Sequence, residues 1–67
     1  MDKHTVMRFS AIDTRTRKVT FFRRDFHLDL SDPCDMFVIL QDIILEGIRE
    51  GYERMKLESL EILVDEV

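Results

Sequence analysis

Apolar and polar positions follow two different periods along this chain, and the longest regular stretch lies between residues 32 and 56. Apolar residues recur there at intervals of three and four, which is the spacing of one face of an α-helix. Asp32 is a residue type favoured at the N-cap, and Pro33 suits the first helical position because its missing N–H is unpaired there in any helix. The pattern predicts one long amphipathic helix over 32–56.

The residues before the helix, 6–30, alternate with a period of two, which is typical of strands with one buried face. A first strand is predicted over 6–12 and a second from residue 19, and the polar segment 13–18 predicts the tip of a β-hairpin between them. Residues 1–5 are predicted to form a loose N-terminus. The apolar residues change parity between Phe21 and Phe26. This change predicts a bulge, bend or break at 23–25, and therefore either one bent strand or two short strands before the helix.

The C-terminal residues 57–67 admit two interpretations, a strand or a continuation of the helix. Their alternation predicts a strand over 59–65, which we favour because a two-stranded sheet is too small to cover this helix. Residues 1–67 are then a single α+β domain of ββαβ order. Its three- to four-stranded antiparallel sheet packs on one long amphipathic helix. Gly47 and Gly51, one turn apart, indicate a close approach of that helix to the sheet or, as the alternative, to a second helix.

Size and composition indicate self-association. A chain of 67 residues buries only about 60% of the surface that its unfolded form exposes. One cysteine excludes an intramolecular disulfide, and no Cys/His set has structural-zinc spacing, so oligomerisation is the remaining common source of stability. Four apolar residues, three of them outside the main apolar stripe of the predicted helix, are predicted to line a self-interface of a homodimer or higher oligomer: Val38, Ile39, Leu45 and Tyr52.

Charge is unevenly distributed along the chain. Residues 1–24 carry seven Lys/Arg and two acids, whereas residues 25–67 carry three Lys/Arg and twelve acids. Five basic residues of the hairpin form a candidate contact for nucleic acid or for an acidic partner: Arg15, Arg17, Lys18, Arg23 and Arg24. Eight acidic residues have two interpretations: they imitate a phosphate backbone and so block a DNA-binding protein, or they form an ordinary solvated face. They are Asp42, Glu46, Glu50, Glu53, Glu58, Glu61, Asp65 and Glu66.

Candidate chemistry is sparse. Asp25, His27 and Asp29 have the spacing of one strand face and offer metal ligands, although a solvated face is the plainer interpretation. Cys34 near the helix N-terminus is either an activated thiol or a small structural residue. No nucleophile or phosphate-binding motif occurs. We therefore expect no catalytic site, metal, cofactor or small-molecule substrate.

The function expected from these features is non-enzymatic binding of a protein partner by a small homo-oligomer. Such a regulator, inhibitor or assembly factor is of the kind that phages, mobile elements or compact operons encode. A nucleic-acid-binding accessory protein that uses the basic hairpin is the alternative. No run has transmembrane length and the segment M-D-K-H-T-V lacks a signal-peptide core, so we expect no membrane association and a cytoplasmic location, in the host if the protein is viral.

Overall fold

A computed structural model of the protein describes residues 2–64. Its elements in chain order are β1 (Lys3–Asp13), β2 (Val19–Phe26), α1 (Pro33–Arg49) and β3 (Tyr52–Val64). The three strands form one antiparallel sheet in the spatial order β2-β1-β3. The predicted α+β class, with one helix and an antiparallel sheet, is confirmed. The described residues contain no fourth strand.

The predictions for four positions, Met1, Asp65, Glu66 and Val67, lie outside the described residues.

The central strand β1 supplies most of the core. Met7 and Phe9 are fully buried and form the core cluster with Leu30, against which the apolar side of α1 packs. Val6 on the opposite face of the sheet is also buried, because neighbouring strands flank β1 on both sides. The strand begins at Lys3, so the prediction of a loose segment over residues 1–5 is wrong for residues 3–5.

The β1–β2 hairpin turns over the polar segment 13–18, as predicted. The N–H of Asp13 donates to the carbonyl of Lys18 at 3.0 Å, and the N–H of Arg17 donates to the carbonyl of Asp13 at 2.8 Å. Arg17 adopts a positive φ of 62°, a conformation that usually selects Gly or Asn. The turn type was therefore not readable from residue types.

Strand β2 is regular, and the predicted bulge at 23–25 is wrong. Its register with β1 runs without a shift from Phe26 to Val19. Phe22 and Phe26 pack against the core, whereas Phe21 lies on the other face and is 75% exposed. Arg24 occupies the inward position between the two core phenylalanines, and its guanidinium lies 6.0 Å from the centre of the Phe22 ring. One parity therefore holds along the strand.

Helix α1 begins where the sequence predicts and ends earlier. The side chain of Asp32 caps the helix by accepting from the N–H of Cys34 at 2.9 Å, and Pro33 is the first helical residue. The helix stops at Arg49 because Gly51 has a φ of +94°, a left-handed conformation that terminates helices at little cost only with glycine. The predicted extent of 32–56 is thus wrong at its C-terminal end.

Strand β3 starts at Tyr52 and takes over the last part of the predicted helix. It runs along β1 to Val64, so the strand interpretation of the C-terminal segment is confirmed for residues 59–64 and begins seven residues earlier than predicted. Two shifts in register interrupt the pairing with β1. The second shift lies beside Arg54, whose φ is 54°, as in a bulge where one residue turns left-handed.

Gly47 lets the helix approach the sheet closely. It is the one buried residue of α1, and a Cβ built on it would overlap the Sδ atom of Met55 on β3. The prediction of close packing on the sheet is therefore confirmed for Gly47, whereas Gly51 is a helix terminator. The sheet-facing residues of α1 follow helical spacing and are Met36, Ile39, Leu40, Ile43 and Gly47.

Candidate functional site

The main unpartnered surface is the side of α1 that faces away from the sheet. Five large apolar side chains there are between 39% and 64% exposed. We call this set the outer stripe: Phe37, Val38, Ile44, Leu45 and Ile48. The sheet covers only one side of α1. Because α1 is apolar around most of its circumference, a second apolar side is left exposed to solvent.

The outer stripe differs in part from the predicted self-interface. Val38 and Leu45 lie on it, as expected from their position outside the main apolar stripe. Ile39 packs against the core cluster of its own chain. Tyr52 lies on β3, where its ring packs edge-on against Phe22 with centroids 4.8 Å apart.

Three residues of the outer stripe were missed by the sequence analysis: Phe37, Ile44 and Ile48. The main apolar stripe predicted for the helix contains these three residues together with Tyr52 and Met55, which fall in line with them at helical spacing. Ending the helix at Gly51 removes those two residues and moves the centre of the sheet-facing side to Ile43 and Gly47. A glycine C-terminal cap was the signal available in the sequence.

The outer stripe is not flat. Three of its apolar side chains, Phe37, Ile44 and Leu45, line an open depression of ≈ 370 Å³ together with Leu40 and Gln41. Gln41 is the polar residue within this surface. An exposed apolar helix side of this kind can pack against a second apolar surface.

Charged residues border the outer stripe on one side. Asp35 precedes Val38 by three residues, and Arg49 follows Leu45 by four, so each is a neighbour of a stripe residue on the helix surface. Asp42 lies between them along the same border. Among residues 2–64, none of these three charged side chains forms an ion pair.

The uncovered face of the sheet carries exposed apolar side chains, including Phe21 at 75% and Val19 at 59%, together with charges that are matched in pairs. Arg8 pairs with Glu61 at 3.1 Å. Arg23 donates from Nε to Asp25 at 2.9 Å and also from a terminal nitrogen at 3.2 Å. This two-point hydrogen bond holds the pKa of the Asp25 carboxyl below its usual value and raises the pKa of Arg23. The face therefore carries little uncompensated charge.

The predicted basic contact is spread over separate surfaces. Arg15 pairs with Asp13 at 3.6 Å at the hairpin turn, and its backbone N–H lowers the pKa of that carboxyl. Arg17 reaches Glu53 on β3 at 3.3 Å. Arg23 lies on the uncovered face, whereas Arg24 lies on the helix side of β2, over Phe22. Lys18 is exposed at the end of the turn. Three of the five cations thus have an acidic neighbour within the chain.

The candidate metal ligands have other partners. Asp25 binds Arg23, while Asp29 accepts hydrogen bonds from Ser31, which lower its pKa, and pairs with Lys3 at 3.5 Å. His27 follows the end of β2, with its ring 6.5 Å from that of His4. Within the described residues, no three His, Cys, Asp or Glu side chains are grouped to hold a metal ion.

Cys34 lies exposed in the first turn of α1. The space enclosed between the helix and the strands near Gly47 is ≈ 10 Å³, about the volume that one water requires.

Within residues 2–64, no helix has both the length and the apolar character needed to span a membrane. In comparisons with protein-family models, curated proteins and solved structures, no match is found.

Proposed function

We propose that the protein is a non-enzymatic homo-oligomer that binds a protein partner, and that it assembles through the outer stripe of α1. The single observation that carries this proposal is the exposure of five large apolar side chains on one side of one helix. A contiguous apolar surface of this kind is characteristic of an interaction site on a small protein. The proposed roles are those of a regulator, an inhibitor or an assembly factor.

The energetic argument concerns how much apolar surface remains in water. Complete burial of a Val, Leu, Ile or Phe side chain contributes about 1.5–3 kcal/mol. The outer-stripe residues retain 39% to 64% of their surface, so each has roughly half of that contribution still to gain on contact, on the order of 1 kcal/mol. Five such residues from each copy favour association against its entropic cost.

Self-association through the outer stripe leaves the charged surfaces accessible. The hairpin turn carries Arg15 and Lys18, both exposed, and lies at the end of the sheet. Glu46 on α1 and Glu50 at its C-terminal cap are exposed and do not belong to the border formed by Asp35, Asp42 and Arg49. Neither has an ion-pair partner among residues 2–64. We assign contact with the protein partner to these charged surfaces.

The test replaces two outer-stripe residues by aspartate. In Val38→Asp/Leu45→Asp, association would bury two carboxylates per copy in an apolar contact, so we expect the variant to have the mass of a single chain. The matched control is Val19→Asp, because Val19 on β2 is as exposed as Val38, 59% against 60%. We expect the control to keep the mass of the unmodified protein in light scattering.

Circular dichroism is the control that tests whether each variant retains its fold. A folded Val38→Asp/Leu45→Asp variant with an unchanged oligomeric mass would overturn the assignment of the self-interface. Equal dissociation of the Val19→Asp control would show that added negative charge, and not the location of the change, separates the copies.

The basic hairpin, which suggests nucleic-acid binding as the alternative function, does not present its cations on one surface. Its five cations lie on different surfaces and three of them are paired with acids. Binding to a phosphate backbone depends on cations that are free to replace counterions.

A further inference from the structure

We infer that two copies of the chain pack their outer stripes together with the two α1 helices antiparallel, so that Asp35 of each copy pairs with Arg49 of the other. This inference rests on the proposed function, because it takes the outer stripe as the self-interface. It adds the direction and the register of the contact, which the proposed function leaves undefined.

The register follows from positions along the helix. The outer stripe runs from Phe37 to Ile48, so its midpoint lies beside Asp42. Asp35 and Arg49 stand seven residues before and seven residues after Asp42. At about 1.5 Å of rise per residue, each charge lies about 10 Å from the midpoint. Two antiparallel stripes centred on each other therefore bring Asp35 of one copy level with Arg49 of the other, at both ends of the contact.

The two charges also lie on the same side of the stripe. Asp35 neighbours Val38 and Arg49 neighbours Leu45, and both therefore belong to one border of the apolar surface. A two-fold axis perpendicular to an antiparallel helix pair places this border of one copy beside the same border of the other. Asp35 of one copy and Arg49 of the other therefore lie at the same level along the helix axes and on the same side of the contact.

Charge complementarity favours this direction over a parallel one. A parallel pair related by a two-fold axis would place this border of one copy beside the opposite border of the other, so neither Asp35 nor Arg49 would gain a partner of opposite charge. In the antiparallel pair Asp42 lies near Asp42 of the other copy at the axis, so one contact between like charges opposes the two attractive contacts between Asp35 and Arg49. Within residues 2–64 both Asp35 and Arg49 lack an ion pair, in contrast to the arginines of the uncovered sheet face.

The experiment exchanges the two charges on the full chain and measures the dimer dissociation constant by sedimentation equilibrium. Arg49→Glu and Asp35→Arg each turn two attractive contacts per dimer into two repulsive ones, and we expect each to raise the dissociation constant about tenfold. The double variant Asp35→Arg/Arg49→Glu restores opposite charges, and we expect it to return to within about threefold of the unmodified protein. The matched control is Lys56→Glu, which changes net charge by the same amount on the face of the sheet away from the helix.

Salt provides a second measurement of the same contact. At about 1 M salt the screening length falls to about 3 Å, so we expect the difference between Arg49→Glu and the unmodified protein to shrink. Circular dichroism confirms that the helix is intact in every variant.

The outcomes separate this inference from the proposed function. A dimer whose dissociation constant is the same for Arg49→Glu and Lys56→Glu, or is not recovered in the double variant, overturns the antiparallel register and leaves the self-interface standing. A chain that is monomeric before any substitution overturns the proposed function itself.

Discussion

Thr5→Val is expected to loosen the junction between the sheet and the helix. Thr5 is fully buried on β1, where its hydroxyl donates to the carbonyl of Leu28 at 2.8 Å and accepts from the N–H of Leu30 at 3.1 Å. These two bonds attach the connection between β2 and α1 to the central strand, and they position Leu30 in the core. Valine has nearly the same shape as threonine and can make neither bond.

The magnitude follows from which backbone group is left without a partner. Leu30 is 4% exposed, so its N–H would remain buried and unsatisfied, at a cost of about 1–3 kcal/mol. Leu28 is 56% exposed, and water can therefore replace the hydroxyl at its carbonyl. Burial of the methyl group that replaces the hydroxyl offsets about 0.8 kcal/mol of this cost. We expect the free energy of unfolding to fall by about 1–2 kcal/mol.

Urea denaturation at a fixed protein concentration measures this change. We expect a lower midpoint with an unchanged slope, and a melting temperature lowered by about 5–15 °C for a domain of this size. The matched control is Thr20→Val on β2, whose hydroxyl makes no hydrogen bond within the described residues. We expect that control to be neutral or slightly stabilising. A Thr5→Val variant as stable as the unmodified protein would refute the role assigned to the hydroxyl.

Two further predictions concern the backbone around the start of β3. Gly51→Ala is expected to lower the free energy of unfolding by about 1–2 kcal/mol, because alanine is strained at a φ of +94° even though its Cβ would lie 3.5 Å from Thr14 Oγ1, an ordinary contact. Unchanged urea denaturation would contradict this. Arg54→Gly is expected to raise the free energy of unfolding by up to about 1 kcal/mol, because it relieves a left-handed residue at a bulge. A lower melting temperature would show that the Arg54 side chain stabilises the strand by more than its backbone strain costs.

The start of the helix was predictable because its signals are local. Asp32 and Pro33 act through hydrogen bonds and φ angles of the first turn, and no distant part of the chain alters them. The end of the helix was also marked locally, by Gly51, but the apolar residues Tyr52 and Met55 continue the helical spacing and concealed it. The same residues satisfy a strand pattern, and only the pairing of β3 with β1 decides between the two.

The parity of β2 and the position of the outer stripe depend on long-range packing. Arg24 occupies an inward position because its guanidinium can lie over Phe22, so a charged residue interrupts an otherwise apolar face without a bulge. Along α1, Phe37 and Ile43 are equally apolar, and sequence alone does not tell which one faces the sheet. Gly47 settles the rotation of the helix, since it is the point of closest approach to Met55.

The mass of the protein in solution, measured by light scattering over a dilution series, tests the central claim most directly. Self-association through the outer stripe predicts at least twice the 8.0 kDa of one chain at the highest concentration, with a reversible fall toward 8.0 kDa on dilution. A mass of 8.0 kDa at every concentration would contradict it.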